Sequence, residues 1–307
     1  TNQQACCLKF SKLICMHSFT IKDLENLSGI KAHTIRIWEQ RYSFLKPSRT
    51  DTNIRVYSNE ELKTILNVAL LNKYGYKISH IDRMNQAEIK EKILSLNHTE
   101  AQQERIINSL IQYMVDLDME SFEELLDGFI ASRGIEKTIL QIIFPYLNKI
   151  GILWMTNHIN PAQEHLVSNI IRQKLIVGIQ NSESLVSINK SVLLFLPEGE
   201  YHELGLLFMN FLLKSKGVTT IYLGSSISTD HVDYVVKLKK PDYIYTHLTS
   251  CGSKFNFEKF LEGLSKKFTE TPVVISGQFT QIYHKKITSP LVLKRTLSEV
   301  MDFVSSL

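Results

Sequence analysis

Ser191-Val192-Leu193-Leu194-Phe195-Leu196, then Pro197-Glu198-Gly199, then Glu200-Tyr201-His202-Glu203-Leu204-Gly205, is the stretch that decides how the C-terminal part of this 307-residue chain folds. Five apolar residues in an unbroken run after Ser191 read as a strand buried on both faces, the pattern of a parallel sheet. Helical spacing begins at Leu204 and lasts to Lys216. An imidazole, His202, is thus presented on the loop at the carboxyl end of a strand, where open α/β sheets receive ligands. Glu200, two residues earlier, can orient that ring, and Gly205, three later, leaves room for something broad.

Working outward, strand and helix patterns alternate from Asn189 to the end. Strands are expected at 191–196, 219–223, 243–248, 273–276 and 291–293, with helices at 204–216, 229–239, 255–268 and 297–306. This predicts a flavodoxin-like (Rossmann-like) doubly wound parallel sheet over 188–307. From Gln86 to Asn181 the pattern is helical, with helices at about 100–114, 119–133, 135–154 and 161–180. Asn160-Pro161 marks the start of the last, since proline is tolerated in a first helical turn. Short connections make a four-helix bundle the economical reading of 89–184. Trp154 closes the third of these helices, and Glu164-His165 opens the fourth. Alone they say little: a buried indole is usually packing, and a Glu-His pair at a helix start usually lies on a solvated face.

Length allows two or three domains. No apolar run approaches the roughly 18 residues that span a bilayer, so no membrane partner is expected. Residues 1–17 lack the long apolar core of a signal peptide and read as a loose extension, so a cytoplasmic location is expected. Of the four cysteines, Cys6, Cys7 and Cys15 crowd into that extension, and Cys251 stands apart; none has zinc-finger spacing. Charge is uneven. Residues 1–85 hold 13 Lys and Arg against 7 Asp and Glu, and the remainder holds 22 against 24. A basic front end on a neutral body points to an anionic partner.

The front end, 18–88, has the pattern of a winged helix-turn-helix. Helical spacing from Phe19 stops at Gly29, and a second helix runs from Ala32 to Tyr42 with Ile35 and Trp38 inward. The second helix of such a pair enters the major groove of DNA. Turn residues between Arg49 and Arg55 suggest a two-stranded wing, and Ser58-Asn59-Glu60-Glu61 a capped helix start. Arg41, Arg49 and Arg55 surround a wing with no core to serve, which favours phosphate contact. Arg36 could instead pair with Glu39 or Asp23.

Thr34-Ile35-Arg36-Ile37-Trp38-Glu39-Gln40-Arg41-Tyr42, Lys46-Pro47-Ser48-Arg49-Thr50 and Arg55-Val56-Tyr57-Ser58 together resemble the MerR family of transcription regulators. The resemblance implies DNA contact through Thr34, Arg36, Arg41, Tyr42, Arg49 and Arg55, and dimeric binding to a pseudo-palindromic, double-stranded promoter site. Glu200-x-His202-x-x-Gly205 resembles the signature of cobalamin-binding domains, which implies that His202 is the lower axial ligand of cobalt. Trp154, nine residues, then Glu164-His165 resembles the helical cap of the CarH-like light-sensing repressors of carotenoid genes. That likeness spans roughly 18–307. It implies that Trp154, Glu164 and His165 cover the upper face of the cofactor. Further lining of the buried nucleotide tail is implied for Thr246, Leu248, Thr249, Ser250, Gly277 and Gln278. Thr246-x-Leu248 stands where the family has Ser-x-Leu, and Gly277-Gln278 where it often has Gly-Gly.

The expectation is therefore a cobalamin-dependent transcription regulator, a repressor and not an enzyme. Adenosylcobalamin or methylcobalamin would control its homo-oligomerisation, as dimer or tetramer, and its DNA affinity. One departure stands out. Light-responsive members carry a histidine directly after the Trp, which ligates cobalt once light removes the adenosyl group. Here it is Met155, a softer and weaker ligand for oxidised cobalt, with His158 one turn further on. Met155 and Gln278 motivate an alternative, a MerR-type regulator that has lost the cofactor and senses a protein partner. A corrinoid methyl carrier is the other alternative, but it has no use for a winged helix-turn-helix.

Overall fold

The computed structural model describes residues 18–155, 159–182, 184, 186–252 and 255–307. The chain divides into two compact units, Thr1–Ile170 and Ile171–Leu307. Cys6, Cys7, Cys15 and His158 lie outside the described residues, as do the side chains of Trp154 and Met155.

In the first unit, α1 (Ile21–Ser28) starts at a capping box in which the Thr20 hydroxyl accepts from Asp23 N–H and the Asp23 carboxylate accepts from Thr20 N–H. It stops at Gly29, whose φ of 75° only glycine adopts without cost. α2 (Ala32–Arg41) buries Ile35 and Trp38, as the spacing predicts. The wing follows as β1 (Ser48–Arg49) and β2 (Arg55–Val56), antiparallel, with Arg49 opposite Arg55. A bridge between Phe19 and Tyr57 ties the wing to the start of α1. α3 (Asn59–Lys73) begins at the expected cap, with Ser58 and Glu61 forming a second capping box.

The helical segment continues as α4 (Ile78–Ile81), α5 (Gln86–Leu94), α6 (Thr99–Asp116), α7 (Met119–Arg133), α8 (Ile135–Thr138), α9 (Phe144–Met155) and α10 (Pro161–Gln180). The expected single helix over 135–154 is interrupted by a π-helical turn, Ile139–Ile143, where Phe144 N–H donates to the carbonyl of Ile139. Pro145 accounts for it: proline has no N–H to give, and its ring would collide with the Gln141 carbonyl. Tyr146, fully buried, donates its hydroxyl to Met114 Sδ and meets Phe122 edge-on. Gln163 fastens the start of α10 by donating to the carbonyls of Met114 and Val115.

The helix-turn-helix is not a detached head within this unit. α3 packs along α6, with Lys63 paired to Asp116 and Lys73 to Glu104. α1 packs against α9, the helix that ends in Trp154-Met155.

The second unit is a five-stranded parallel sheet of β3 (Ile188–Pro197), β4 (Val218–Ile227), β5 (Tyr243–Leu248), β6 (Val273–Gly277) and β7 (Leu291–Lys294). Their spatial order is β4-β3-β5-β6-β7, the flavodoxin-like arrangement the alternation predicts. Helices α11 (Leu204–Ser215), α12 (Thr229–Lys239), α13 (Phe257–Lys267), the short α14 (Gln278–Ile282) and α15 (Leu297–Ser306) connect and follow the strands. On one face, Leu193, Phe195, Ile244, Leu248, Val273 and Ile275 form an apolar cluster with Val232 of α12 and Leu261 and Leu264 of α13. On the other, Tyr245 stacks on Phe303 of α15. The order reverses between β3 and β5, so the loops after these two strands border the crevice where such sheets bind ligands.

Gly277 ends β6 with φ of 100°, and a Cβ there would lie 2.2 Å from the carbonyl oxygen of Leu248. Gly277→Ala is therefore expected to lower stability by about 2–3 kcal/mol or more. Chemical denaturation would show this as a reduced midpoint with an unchanged slope.

Candidate functional site

At the carboxyl end of β3 the chain turns through Gly199 and places Glu200 at the crevice, its side chain fully enclosed. Every oxygen of that carboxylate is engaged. Oε1 accepts from the backbone N–H of His202 at 2.9 Å and faces His202 Nδ1 at 2.7 Å. Oε2 accepts from the amides of Thr249 and Ser250, both at 2.8 Å, on the loop after β5. Burial alone would raise the pKa of this acid. The bonds from the His202 ring and the amides of His202, Ser250 and Thr249 outweigh it and hold the carboxyl at about 2. An ionised carboxylate accepts only, so Nδ1 of His202 is the donor, which in the neutral ring leaves the lone pair on Nε2. The ring is 47% exposed.

Such an imidazole, oriented by a buried acid and presented at a crevice, is the donor that metal sites of the carboxylate-histidine type use. Among the described residues, no group of three or more His, Cys, Asp and Glu is arranged to hold an ion by itself. A metal already held by its own macrocycle would ask for only one donor from the protein, and His202 could be that donor. Cys251 Sγ lies 3.8 Å from Glu200 Oε2, and burial with that negative neighbour pushes its thiol up to about 12, so it offers no thiolate. Glu203 is drawn elsewhere: its Oε1 accepts from Tyr222 OH at 3.1 Å, and its Oε2 lies 3.7 Å from Arg172 Nη1.

The remaining expected residues of this unit divide. Thr249 and Ser250 meet Glu200 through their amides, as above. Leu248 sits in the apolar cluster under α12 and α13, with Thr246 alternating to the same face. Thr246 is fully buried, and its hydroxyl has no hydrogen-bond partner among the described residues. Gly277 stands against the Leu248 backbone, and Gln278 is exposed at the start of α14. The residue that sequence reading passed over is His247. Its Nδ1 lies 2.8 Å from Ser276 Oγ, which also shares a 2.6 Å hydrogen bond with Tyr245 OH. Its ring packs on Gly205: a Cβ at Gly205 would lie 2.6 Å from both Cδ2 and Nε2. The space expected beside Gly205 is thus filled by an imidazole of the chain itself. Period-2 alternation from the buried Tyr245 was the signal for it.

In the helical unit, Trp154 is the penultimate residue of α9. Glu164 and His165 lie in the first turn of α10; Glu164 accepts from Ser168 Oγ at 2.9 Å, and His165 is exposed.

At the other end of that unit, Arg36, Arg41 and Arg49 are exposed. Arg36 is not drawn to Asp23, which caps α1. The Arg41 guanidinium lies 5.8 Å from the centre of the Tyr42 ring, which stacks on Phe44. Arg49 donates to Asn53 Oδ1 at 2.7 Å within the wing turn. Thr34 is half-buried on α2, near His33. Arg55 donates its Nε to Glu39 Oε2 at 2.8 Å. Glu39 also accepts from Tyr57 OH, so one carboxylate on α2 fastens the second strand of the wing.

Comparison with known proteins bears on the helix-turn-helix and on the helical segment that follows it. Residues 19–88 match the family described as MerR HTH family regulatory protein, and residues 106–177 match the family described as B12 binding domain. Together these matches support a MerR-type regulator with a B12-binding domain. Among its relatives are two HTH-type transcriptional repressors of Myxococcus xanthus. CarH is 27% identical over 271 residues, covering 85% of this chain and 89% of the relative. CarA is 26% identical over 271 residues, covering 88% and 90%. A monomethylamine corrinoid protein of Methanosarcina barkeri shares the fold, with a TM-score of 0.50 at 12% identity over 67% of this chain and all of that one.

Burial lowers the pKa of His247 from 6.5 to about 4, against an opposing pull from the Glu200 charge. A histidine depressed in the folded state contributes stability above its unfolded pKa, and loses it as pH falls through the folded one. Stability is therefore expected to decline between pH 6.5 and about 4 by on the order of 2–3 kcal/mol. Urea titrations across that interval, with His247→Gln as the flattened control, read it directly.

Proposed function

We propose that this chain is a repressor that uses His202 as the lower axial ligand of a cobalamin, adenosylcobalamin in the first instance, and couples occupancy to promoter binding. The observation that carries the reading is the Glu200–His202 pair. A fully enclosed, ionised carboxylate fixes the tautomer of an imidazole that stands at the switch point of a parallel sheet. Bound there, the cofactor supplies a cobalt centre with a second axial position. Around it, Glu200 orients the ligating ring and the amides of Thr249 and Ser250 hold Glu200. Trp154, Glu164 and His165 are the proposed upper-face contacts, on the resemblance to the CarH-like cap. Thr246, Leu248, Gly277 and Gln278 remain candidates for the tail on the same ground, Thr246 and Leu248 from the α12 and α13 side of the sheet and not from the α11 side.

A ligand changes DNA affinity only by binding one state of the protein more tightly than another. In this reading the states differ in homo-oligomerisation, and the protein works in the cytoplasm, where promoter DNA is. A light response belongs to the same proposal, with Met155 in place of the histidine that would take the upper position after photolysis. Absorbance of the protein with adenosylcobalamin, in darkness and after green light, tests it. A bound spectrum that shifts on illumination, with altered DNA affinity, supports photoreception, and a bound spectrum that does not shift restricts the protein to sensing the cofactor. His202→Ala is expected to abolish binding, leaving the spectrum of the unbound cofactor. Undiminished affinity in that variant overturns the ligation. An unbound spectrum with the unaltered protein favours the regulator without a cofactor.

On the DNA side, Arg41 and Arg49 are the proposed phosphate contacts, since both are exposed beside the recognition helix and the wing. Arg36, Thr34 and Tyr42 on the same helix and its end are the candidates for further contact. Arg55 is proposed to act mainly by holding the wing to Glu39. Arg41→Ala and Arg49→Ala should each weaken promoter binding about tenfold and reduce the slope of log K against log salt by about 1. Fluorescence anisotropy at several salt concentrations measures both.

A further inference from the structure

One planar heterocycle already lies between α11 and the sheet, and it belongs to the protein. The His247 ring rests on Gly205 in the first turn of α11, where even a methyl group would come within 2.6 Å of it. Ser276 Oγ holds its Nδ1 at 2.8 Å, and Tyr245 OH holds Ser276 at 2.6 Å, so the ring is tethered to β6 by a buried chain of hydrogen bonds. Gly205 is three residues from His202, on the same loop-to-helix turn.

The consequence follows from the chemistry of the cofactor. Cobalamin has one lower axial position, and ligation by His202 leaves the cofactor's own base unligated on its nucleotide tether. That base is flat, aromatic and attached on the His202 side. Beside Gly205, between α11 and the sheet, a base lowered on that side would meet the His247 ring, which already occupies the space against the glycine. Two rings cannot share that space.

We propose that His247 is a specificity-determining residue: by holding the gap beside Gly205 it discriminates among corrinoids according to the base they carry on the lower face. A corrinoid without a base meets no obstacle. One with a base must turn the His247 ring out, break its bond to Ser276 and leave a buried hydroxyl short of a partner. The inference rests on His202 as the axial ligand.

Full-length protein is titrated with adenosylcobalamin and with adenosylcobinamide, which has the same corrin and no nucleotide, and binding is read from the absorbance spectrum. Lifting the base from cobalt costs the same in every variant, so the quantity that matters is how the ratio of the two affinities changes with the mutation. His247→Ala is expected to tighten adenosylcobalamin about tenfold while changing adenosylcobinamide less than about threefold. Ser276→Ala, which releases the ring and also removes the partner of Tyr245 OH, should move the ratio the same way by a smaller factor and gives a second variant in which His247 is retained. An unchanged ratio in both variants overturns the inference alone. If the unaltered protein binds neither corrinoid, or His202→Ala binds both as well as it does, the axial reading falls and the inference falls with it.

Discussion

The carboxylate of Glu200 is the constraint on which the ligand-binding end of this protein depends. It is enclosed, charged and shared between two loops that leave neighbouring parallel strands in the same direction. A buried charge persists only where donors surround it. Here the donors are the ring and amide of His202 on one side and two successive amides of the β5 loop on the other. The same bonds that neutralise the cost of burial set the tautomer of His202, position its ring and hold the crevice to one shape. Removing the acid would leave three amides, those of His202, Thr249 and Ser250, unsatisfied as well as an unoriented ligand.

Glu39 plays the corresponding part at the DNA end. A single carboxylate on α2 accepts from Arg55 and Tyr57, so the recognition helix and the wing share one fastening. Burial and that negative neighbour keep the Tyr57 phenol well above its ordinary range, so it stays protonated and can donate. An arginine in a wing reads, from sequence, as a phosphate contact. Its pairing with a residue sixteen positions away shows only in three dimensions.

Much of the architecture was legible because pattern and local chemistry agreed. The helices 119–133, 161–180, 229–239 and 297–306 carry clear apolar spacing between caps, and the strand 243–248 lies between turn signals. The capping pair Ser58 and Glu61 declared the start of α3. Legibility failed where the outcome depended on one atom or on the register between strands. The π-helical turn arises from the missing N–H of Pro145, which a periodicity count does not register. The short α14 is too brief to show a period. His247 escaped notice because a motif match directed attention to Thr246 and Leu248 and treated the residue between them as filler. Strand alternation puts that residue on the opposite face, level with Ser276 across the ladder. The Glu200–His202 pair was legible as a spacing, whereas the two amides that make it rigid come from a loop about fifty residues away.

The packing of α1 on α9, and of α3 along α6, has a mechanical consequence. The DNA-reading elements have no swivel of their own within the helical unit, because they share its core contacts and its ion pairs at Lys63 and Lys73. A shift of the helix that ends in Trp154-Met155 bears directly on the first helix of the reading head. Through this packing a displacement at the end of α9 would be met at α1 within the same unit, with no connecting segment between the two contacts.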